Sequence, residues 1–372
     1  MPTSTPTSTP ASTPTPAHEV VAPRPPRPRS LRVVHAAAAA TLPIALLAAC
    51  AGTAPADDPA DAQVTADVDA TPGGDLEPAG AVFPQTVDNC GVEVTLEAPP
   101  ERVVTIKSSA TEMLLALGVG DRIVGTGFPD GPAPEEWADV AAGLPVLSDR
   151  VPAAEVVLAT EPDLVYAGWE SNLTAEGAGD RATLAELGVA TYVSPSACKD
   201  PAYQPDRLTF DGVFAEITQI ASLLGVPEAA ETLVSEQRAA LDALTPDERG
   251  LTALWYSSGT DIPYVGAGIG APQMLMDAVG LTNIAGDVED TWTSFAWEQV
   301  VADDPDVIVL VDAAWNTAEA KRELLATNPI TANLTAVREG HFLVVPFAAS
   351  EAGVRNVPAA VDLAAQLAAL DL

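Results

Sequence analysis

The sequence predicts an α/β fold: two Rossmann-like lobes with parallel sheets, joined by a single long helix. Three observations predict it. The stretch Glu155-Val-Val-Leu-Ala-Thr-Glu-Pro162-Asp163-Leu-Val-Tyr-Ala returns 143 residues later as Glu298-Gln-Val-Val-Ala-Asp-Asp-Pro305-Asp306-Val-Ile-Val-Leu, with a Glu seven residues ahead of Pro-Asp in both. A second echo keeps the same order: Met113 to Gly118 before Ile123-Val-Gly125, against Met274 to Gly280 before Ile284-Ala-Gly286. Finally, short β-branched runs alternate with helical patterns, as parallel sheets flanked by helices require. Two similar units in one chain enclose a cleft, and a cleft is where a ligand is held.

Residues 1–49 stand outside those units. Pro, Ser and Thr dominate the first thirty, too polar to pack. Arg24, Arg27, Arg29 and Arg32 then precede an apolar run from Val33 to Ala49. A positive flank, a short apolar core and small residues before a cleavage point are the pattern of an export signal. The run is too short and Ala-rich for a convincing membrane span. Leu47-Ala48-Ala49-Cys50 resembles a lipobox, which makes Cys50 the expected lipidated first residue; an ordinary secretory signal containing a Cys gives the same pattern. Residues 50–81 are Ala, Asp, Pro, Gly and Thr with few large apolar side chains, an acidic, disordered tether. With Cys50 set aside, Cys90 and Cys198 remain, either bridged or as two buried thiols; an extracytoplasmic compartment favours the bridge.

From residue 82 the alternation begins. Arg102 to Lys107 reads as a strand, and Ser109-Ala-Thr111-Glu112 opens a helix that ends at Gly118. Strands follow at Arg122 to Gly125 and Leu164 to Ala167, then a helix over 180–188 and a strand over Val189 to Val193. These belong to an N-terminal lobe, 82–225, closed by a helix from Phe210 to Gly225. Pro227 starts the linking helix, 226–245; Glu228 to Leu244 lacks Gly and Pro and spans about 25 Å at the helical rise. A helical brace predicts a small opening motion. Residues 246–372 form the C-terminal lobe.

Ligands of open parallel sheets collect beyond the carboxyl ends of the strands. The candidate contacts are therefore Lys107, Ser108 and Ser109 after the first strand and Trp169 after the Tyr166 strand. The second lobe offers Trp255, Tyr256, Trp292, Trp315, Phe347 and Arg355. Four of the six Trp gather at such ends although aromatics are only 5% of the chain, a platform for stacking a flat or conjugated ligand. Lys107 and Arg355 would supply positive charge, and the Ser-lined helix start could receive an anionic group.

Composition narrows the chemistry. A net charge of −35 argues against a nucleic-acid partner. The only His beyond the signal is His341, beside Phe342, so a bare transition-metal site is not expected. No base accompanies a nucleophilic Ser, and no phosphate loop or dinucleotide fingerprint is present. Gly266-Ala-Gly268-Ile-Gly270 has the wrong spacing for that fingerprint and reads as a turn near the cleft. The chain is read as a binding protein, not an enzyme, with no cofactor or metal of its own.

A resemblance covers nearly all of 82–372. It rests on Pro99-Pro-Glu-Arg-Val-Val, Ser109-Ala-Thr-Glu-Met-Leu-Leu-Ala-Leu-Gly, Glu161-Pro-Asp-Leu-Val, Pro263-Tyr-Val-Gly-Ala-Gly, Trp297-Glu-Gln-Val and Ala336-Val-Arg-Glu-Gly-His-Phe. Together they resemble the helical-backbone substrate-binding lipoproteins of bacterial ABC importers, which serve iron-siderophores, corrinoids and haem. The resemblance implies a monomer, lipid-anchored at the outer face of the cell membrane, with an ABC permease and its ATPase as partners. It also implies permease docking by one Glu on each lobe, here Glu155 and Glu298; a helix-capping role fits the same positions. Stretches such as Leu254-Trp-Tyr-Ser-Ser-Gly-Thr, Asp290-Thr-Trp-Thr-Ser and Phe347-Ala-Ala-Ser-Glu-Ala-Gly-Val-Arg-Asn look like an actinobacterial subgroup. Its proposed ligand is a deazaflavin coenzyme precursor lacking the polyglutamate tail. A ferric siderophore or corrinoid suits the same surface, and a surface scaffold lipoprotein is the reading from another class.

Overall fold

The structure, a computed structural model, describes residues 80–372. The expected export signal, Cys50 and all but the end of the expected tether lie outside the described residues. The described chain opens with an antiparallel hairpin, β1 (Gln85–Asn89) and β2 (Val92–Leu96). The first lobe then runs β3 (Val103–Ile106), α1 (Ser108–Ala116), β4 (Ile123–Gly127), α2 (Ala138–Ala142), β5 (Val146–Ser148), α3 (Ala154–Leu158), β6 (Leu164–Ala167), α4 (Arg181–Glu186) and β7 (Ala190–Val193). Its five strands are all parallel, in the order β5-β4-β3-β6-β7. Strands β3 and β6 are buried on both faces, which is why they read as unbroken apolar runs.

Two helices, α5 (Phe210–Leu223) and α6 (Pro227–Asp242), connect this sheet to the second. The Thr209 hydroxyl caps α5 by accepting from Gly212 N at 3.1 Å, and Pro227 supplies the preset φ of a first helical turn. Helix α6 packs along α5, with Arg238 paired to Asp211 at 2.7 Å, and on its other side meets the C-terminal helix.

The second lobe follows as β8 (Thr252–Ser258), β9 (Tyr264–Gly266), α7 (Ala271–Val279), β10 (Thr282–Asn283), β11 (Trp292–Ser294), α8 (Trp297–Asp303) and β12 (Val307–Asp312). It ends with α9 (Ala318–Thr327), α10 (Thr335–Glu339), β13 (Phe342–Pro346) and α11 (Asn356–Ala368). Here the expectation of parallel sheets needs correcting. Strands β8, β10, β12 and β13 are parallel, but β9 runs antiparallel to both its neighbours, β8 and β11, so this sheet is mixed. The connection from β8 to β9 is too short for a parallel crossover, and the chain turns straight back.

The echoes occupy equivalent places in separate sheets. Strand β6 lies beside β3 and β12 beside β8. Glu161 and Asp304, each just before the Pro, both adopt left-handed backbone, at φ +49 and +39. Each Pro-Asp carboxylate then ties off the neighbouring strand: Asp163 accepts from Glu101 N and Arg102 N at 2.7 and 3.0 Å, and Asp306 from Thr252 N at 2.8 Å. The repeated words are thus turn chemistry that fixes where a strand starts. Gly118 and Gly280, at φ +73 and +82, end α1 and α7 in the left-handed conformation that Gly adopts without strain.

On the spine side the two lobes share apolar packing. Met113, Ile217 and Ile220 belong to one buried cluster with Ala271 and Met274 of α7 and Val357 of α11. Cys90 and Cys198 form a disulfide, with Cα atoms 5.3 Å apart, that fastens the β1–β2 hairpin to the segment after β7. His341 Nδ1 lies 3.2 Å from Asp306 O, a structural position.

Candidate functional site

Opposite the spine, the carboxyl ends of both sheets face one another. Lys107 follows β3 with φ +83, a backbone conformation that side chains rarely adopt. Gly168 permits this: a Cβ there would come within 2.9 Å of Lys107 Cβ and 2.8 Å of Ser109 Oγ. The Lys107 side chain is 1% exposed and pairs with the equally buried Asp130. Its ammonium lies 3.9 Å from the Trp169 ring centroid, 4.3 Å from Phe128 and 4.7 Å from Phe347, an aromatic box drawn from both lobes. Phe128 has the same unusual backbone, at φ +52.

Phe347 stands at the centre of the aromatic wall. Trp292 stacks on it at 6.3 Å and 7°, and Tyr264 continues the stack on Trp292 at 6.0 Å and 15°. Trp169 and Trp315 meet it edge-on at 6.2 and 5.5 Å. Trp315 is half exposed on the loop after β12. Lys321 holds that loop from below, donating to Val311 O and Asn316 O at 2.6 Å each, and burial lowers its pKa to about 8.

Polar contacts cross between the lobes. Arg355, at the start of α11, donates two hydrogen bonds to Glu112 of α1 at 2.5 Å each and one to Pro132 O at 2.8 Å. Burial raises the Glu112 pKa against the opposing pull of Arg355. Ala314 N donates to Asp130 O at 3.0 Å, and Trp169 Nε1 to the Glu351 carboxylate at 2.5 Å. Burial pushes the Glu351 carboxyl up to about 7.

A cavity of about 230 Å³ lies between the lobes, bounded by Trp169, Glu170, Gln204, Thr291, Trp292 and Glu351. A smaller one of about 90 Å³ lies beside Ser108, Asp130, Phe347 and Arg355. Ligand pockets for drug-sized molecules span roughly 300–1,000 Å³, so a cofactor-sized guest requires these aromatic contacts to part. Among the described residues no group of three or more His, Cys, Asp or Glu side chains could hold a metal ion.

The structure gathers Lys107, Ser108, Ser109, Trp169, Trp292, Trp315, Phe347 and Arg355 around this cleft, with two departures. Trp255 and Tyr256 are fully buried in mid-strand, opposite Val309 and Leu310, and belong to the cores on either face of the sheet. The strand β8 runs on to Ser258, so its carboxyl end comes later than the aromatic pair suggested. The charges also differ from expectation. Lys107 and Arg355 each already hold a carboxylate, and Asp130 rather than a ligand accepts from Ser108 N, at 3.2 Å. Sequence reasoning missed Phe128, Asp130 and Glu351. Phe128-Pro-Asp130 follows β4 directly, so the strand-end rule applied to that strand would have found the first two. Glu155 and Glu298 are exposed in the first turns of α3 and α8, at matching points of the echo.

Comparison with known proteins gives a consistent picture. The family described as "Periplasmic binding protein" matches residues 103–349. A cobalamin-binding protein of Halobacterium salinarum is 28% identical over 71% of this chain and 68% of its own. The uncharacterized ABC transporter substrate-binding lipoprotein YvrC of Bacillus subtilis is 27% identical over 65% of this chain and 74% of its own. Among solved structures, an ABC-type Fe3+-hydroxamate transport system protein from Saccharomonospora viridis superposes with a TM-score of 0.66 at 26% identity. It covers 77% of this chain and 100% of the other.

Proposed function

The chain belongs to the periplasmic binding protein family, and from that premise we propose that it captures a conjugated, cofactor-sized cargo for an ABC importer. Cargo is held between the two lobes and handed to a permease that its ATPase drives. The observation that carries this reading is the wall of Trp169, Trp315 and Phe347 at the carboxyl ends of two facing sheets, with Trp292, the first residue of β11, stacked on Phe347. Flat rings stack on such surfaces, and large aromatic area is the main source of affinity in a mostly apolar site. Anchoring through Cys50 outside the cell membrane, and docking through Glu155 and Glu298, complete the proposal. Both carboxylates are exposed at matching points of the repeated sequence, where they would match two Arg-bearing permease halves.

Among cargoes, a corrinoid or ferric chelate stands ahead of the deazaflavin precursor. All three offer a conjugated face. The deazaflavin reading additionally called on the positive charge of Lys107 and Arg355, and both are paired with carboxylates.

The test is tryptophan-fluorescence titration of the purified protein with cyanocobalamin, a ferric trihydroxamate and the deazaflavin precursor, followed by uptake with permease and ATPase. Submicromolar quenching by one of them names the cargo. Replacing Glu155 and Glu298 together by Ala should abolish uptake and leave the titration unchanged. Weak binding to all three would favour a surface scaffold instead.

A further inference from the structure

The charge inventory of the cleft carries a second conclusion, which rests on the capture reading above. We infer that this cleft selects cargo without net negative charge: a neutral or cationic conjugated molecule, in preference to one bearing free carboxylates or phosphates.

Two cations at the site, Lys107 and Arg355, are each paired with a carboxylate. Lys107 is buried against Asp130 and boxed by three rings. Arg355 is chelated by Glu112 and also donates to Pro132 O. The remaining charged groups on the two cavities are Glu170, Glu351 and Lys199 on the larger, and Asp312 on the smaller. Lys199 is exposed, so water screens its ammonium, while its backbone N–H donates to the Glu170 carboxylate at 2.5 Å. Carboxylates therefore outnumber cations around the cleft, within a chain of net charge −35.

An anionic group entering here has two options, both unfavourable. It can lie beside Glu170 and Glu351 with only the solvent-exposed Lys199 ammonium to oppose them, where like charges repel across a poorly hydrated gap. Or it can displace Asp130 from Lys107 and Ser108 N, leaving a buried carboxylate without its partner. A neutral chelate meets neither obstacle. A cation gains, because the ring faces of Trp169, Trp292 and Phe347 carry negative quadrupole charge, and one of their surfaces already holds an ammonium.

The experiment compares probes that share a shape and differ in charge. A ferric trihydroxamate ending in an ammonium, its N-acetyl form and its N-succinyl form are titrated by tryptophan quenching at low ionic strength. Cyanocobalamin is titrated beside a derivative with one side-chain amide hydrolysed to carboxylate. The anionic member of each set should bind roughly tenfold or more weakly than its neutral counterpart, the scale of one poorly solvated like-charge contact. That gap should narrow as salt is raised. Asp130→Asn, which frees the Lys107 charge, should shrink it further, and Glu112→Gln should do the same through Arg355. An anionic member that binds as tightly as its neutral counterpart overturns the charge inference and leaves the capture reading intact. If no probe of either set saturates the protein, both fall. The wild-type series decides even if a variant fails to fold.

Discussion

Glu216 on α5 is the buried acid whose removal should change stability most legibly. It is 5% exposed and faces the N-terminal sheet, where Tyr166 donates to it at 3.4 Å and, among the described residues, no cation pairs with it. Burial raises its pKa from 4.5 to about 7. The folded state therefore holds a proton that the unfolded chain releases near pH 4.5. Between those values the native state binds more protons, so stability must fall as pH rises, and it levels off once both states are ionised. Two to three pH units at about 1.4 kcal/mol each give about 3 kcal/mol lost across the window. Glu216→Gln keeps the shape and an oxygen for Tyr166, yet cannot ionise. Equilibrium urea unfolding of both proteins from about pH 5 to about pH 8 isolates the effect, because Glu351 and other raised carboxyls contribute equally to each. The variant should gain on the wild type as pH rises, by up to about 3 kcal/mol at the alkaline end. Parallel curves would refute the reasoning and place the ionised Glu216 in a solvated or compensated setting.

Three further outcomes follow from the contacts. Arg355→Met strands the buried Glu112 carboxylate and should destabilise by about 3–5 kcal/mol in chemical unfolding, with much of the loss recovered when Glu112→Gln is added. Replacing Cys90 and Cys198 by Ser opens a loop of sequence separation 108 and should cost about 4–5 kcal/mol on the loop-entropy scale, read as a shift in the urea midpoint. Trp292→Ala removes the ring between Tyr264 and Phe347 and should weaken cargo binding about tenfold, the worth of one aromatic stacking contact; an unchanged Kd would displace the binding surface.

Much of the frame was legible because it is written in local chemistry. Glu161-Pro-Asp163 and Asp304-Pro-Asp306 each force a turn and pin a strand, so a repeat of those residues is a repeat of structure. Gly118 and Gly188 marked helix ends through the left-handed backbone they adopt. Trp169, Trp315 and Phe347 were placed by one geometric rule about strand ends. The same rule failed at Trp255 and Tyr256 because β8 is apolar on both faces, leaving no alternation to mark where it stops. The ion pairs were hidden for another reason. Lys107 meets Asp130 across two strands, and Arg355 meets Glu112 from 243 residues away. Nothing in the spacing of a sequence declares such partnerships. Tertiary packing alone decides that a Lys in the cleft is neutralised rather than waiting for a guest. The mixed character of the second sheet was likewise concealed, since Tyr264 to Gly266 has the composition of any short strand.

The apolar seam along α5, α6, α7 and α11 has a bearing on how a transporter would sense occupancy. Met274 and Val357 sit in one packed cluster with Ile217 and Ile220, so the back of the molecule is fused, and gaping wide would tear open oily surface. Filled and vacant forms must then present nearly the same silhouette to a permease. News of a passenger would have to travel through the rim itself, in whether Trp169 still grips Glu351 and Ala314 still leans on Asp130.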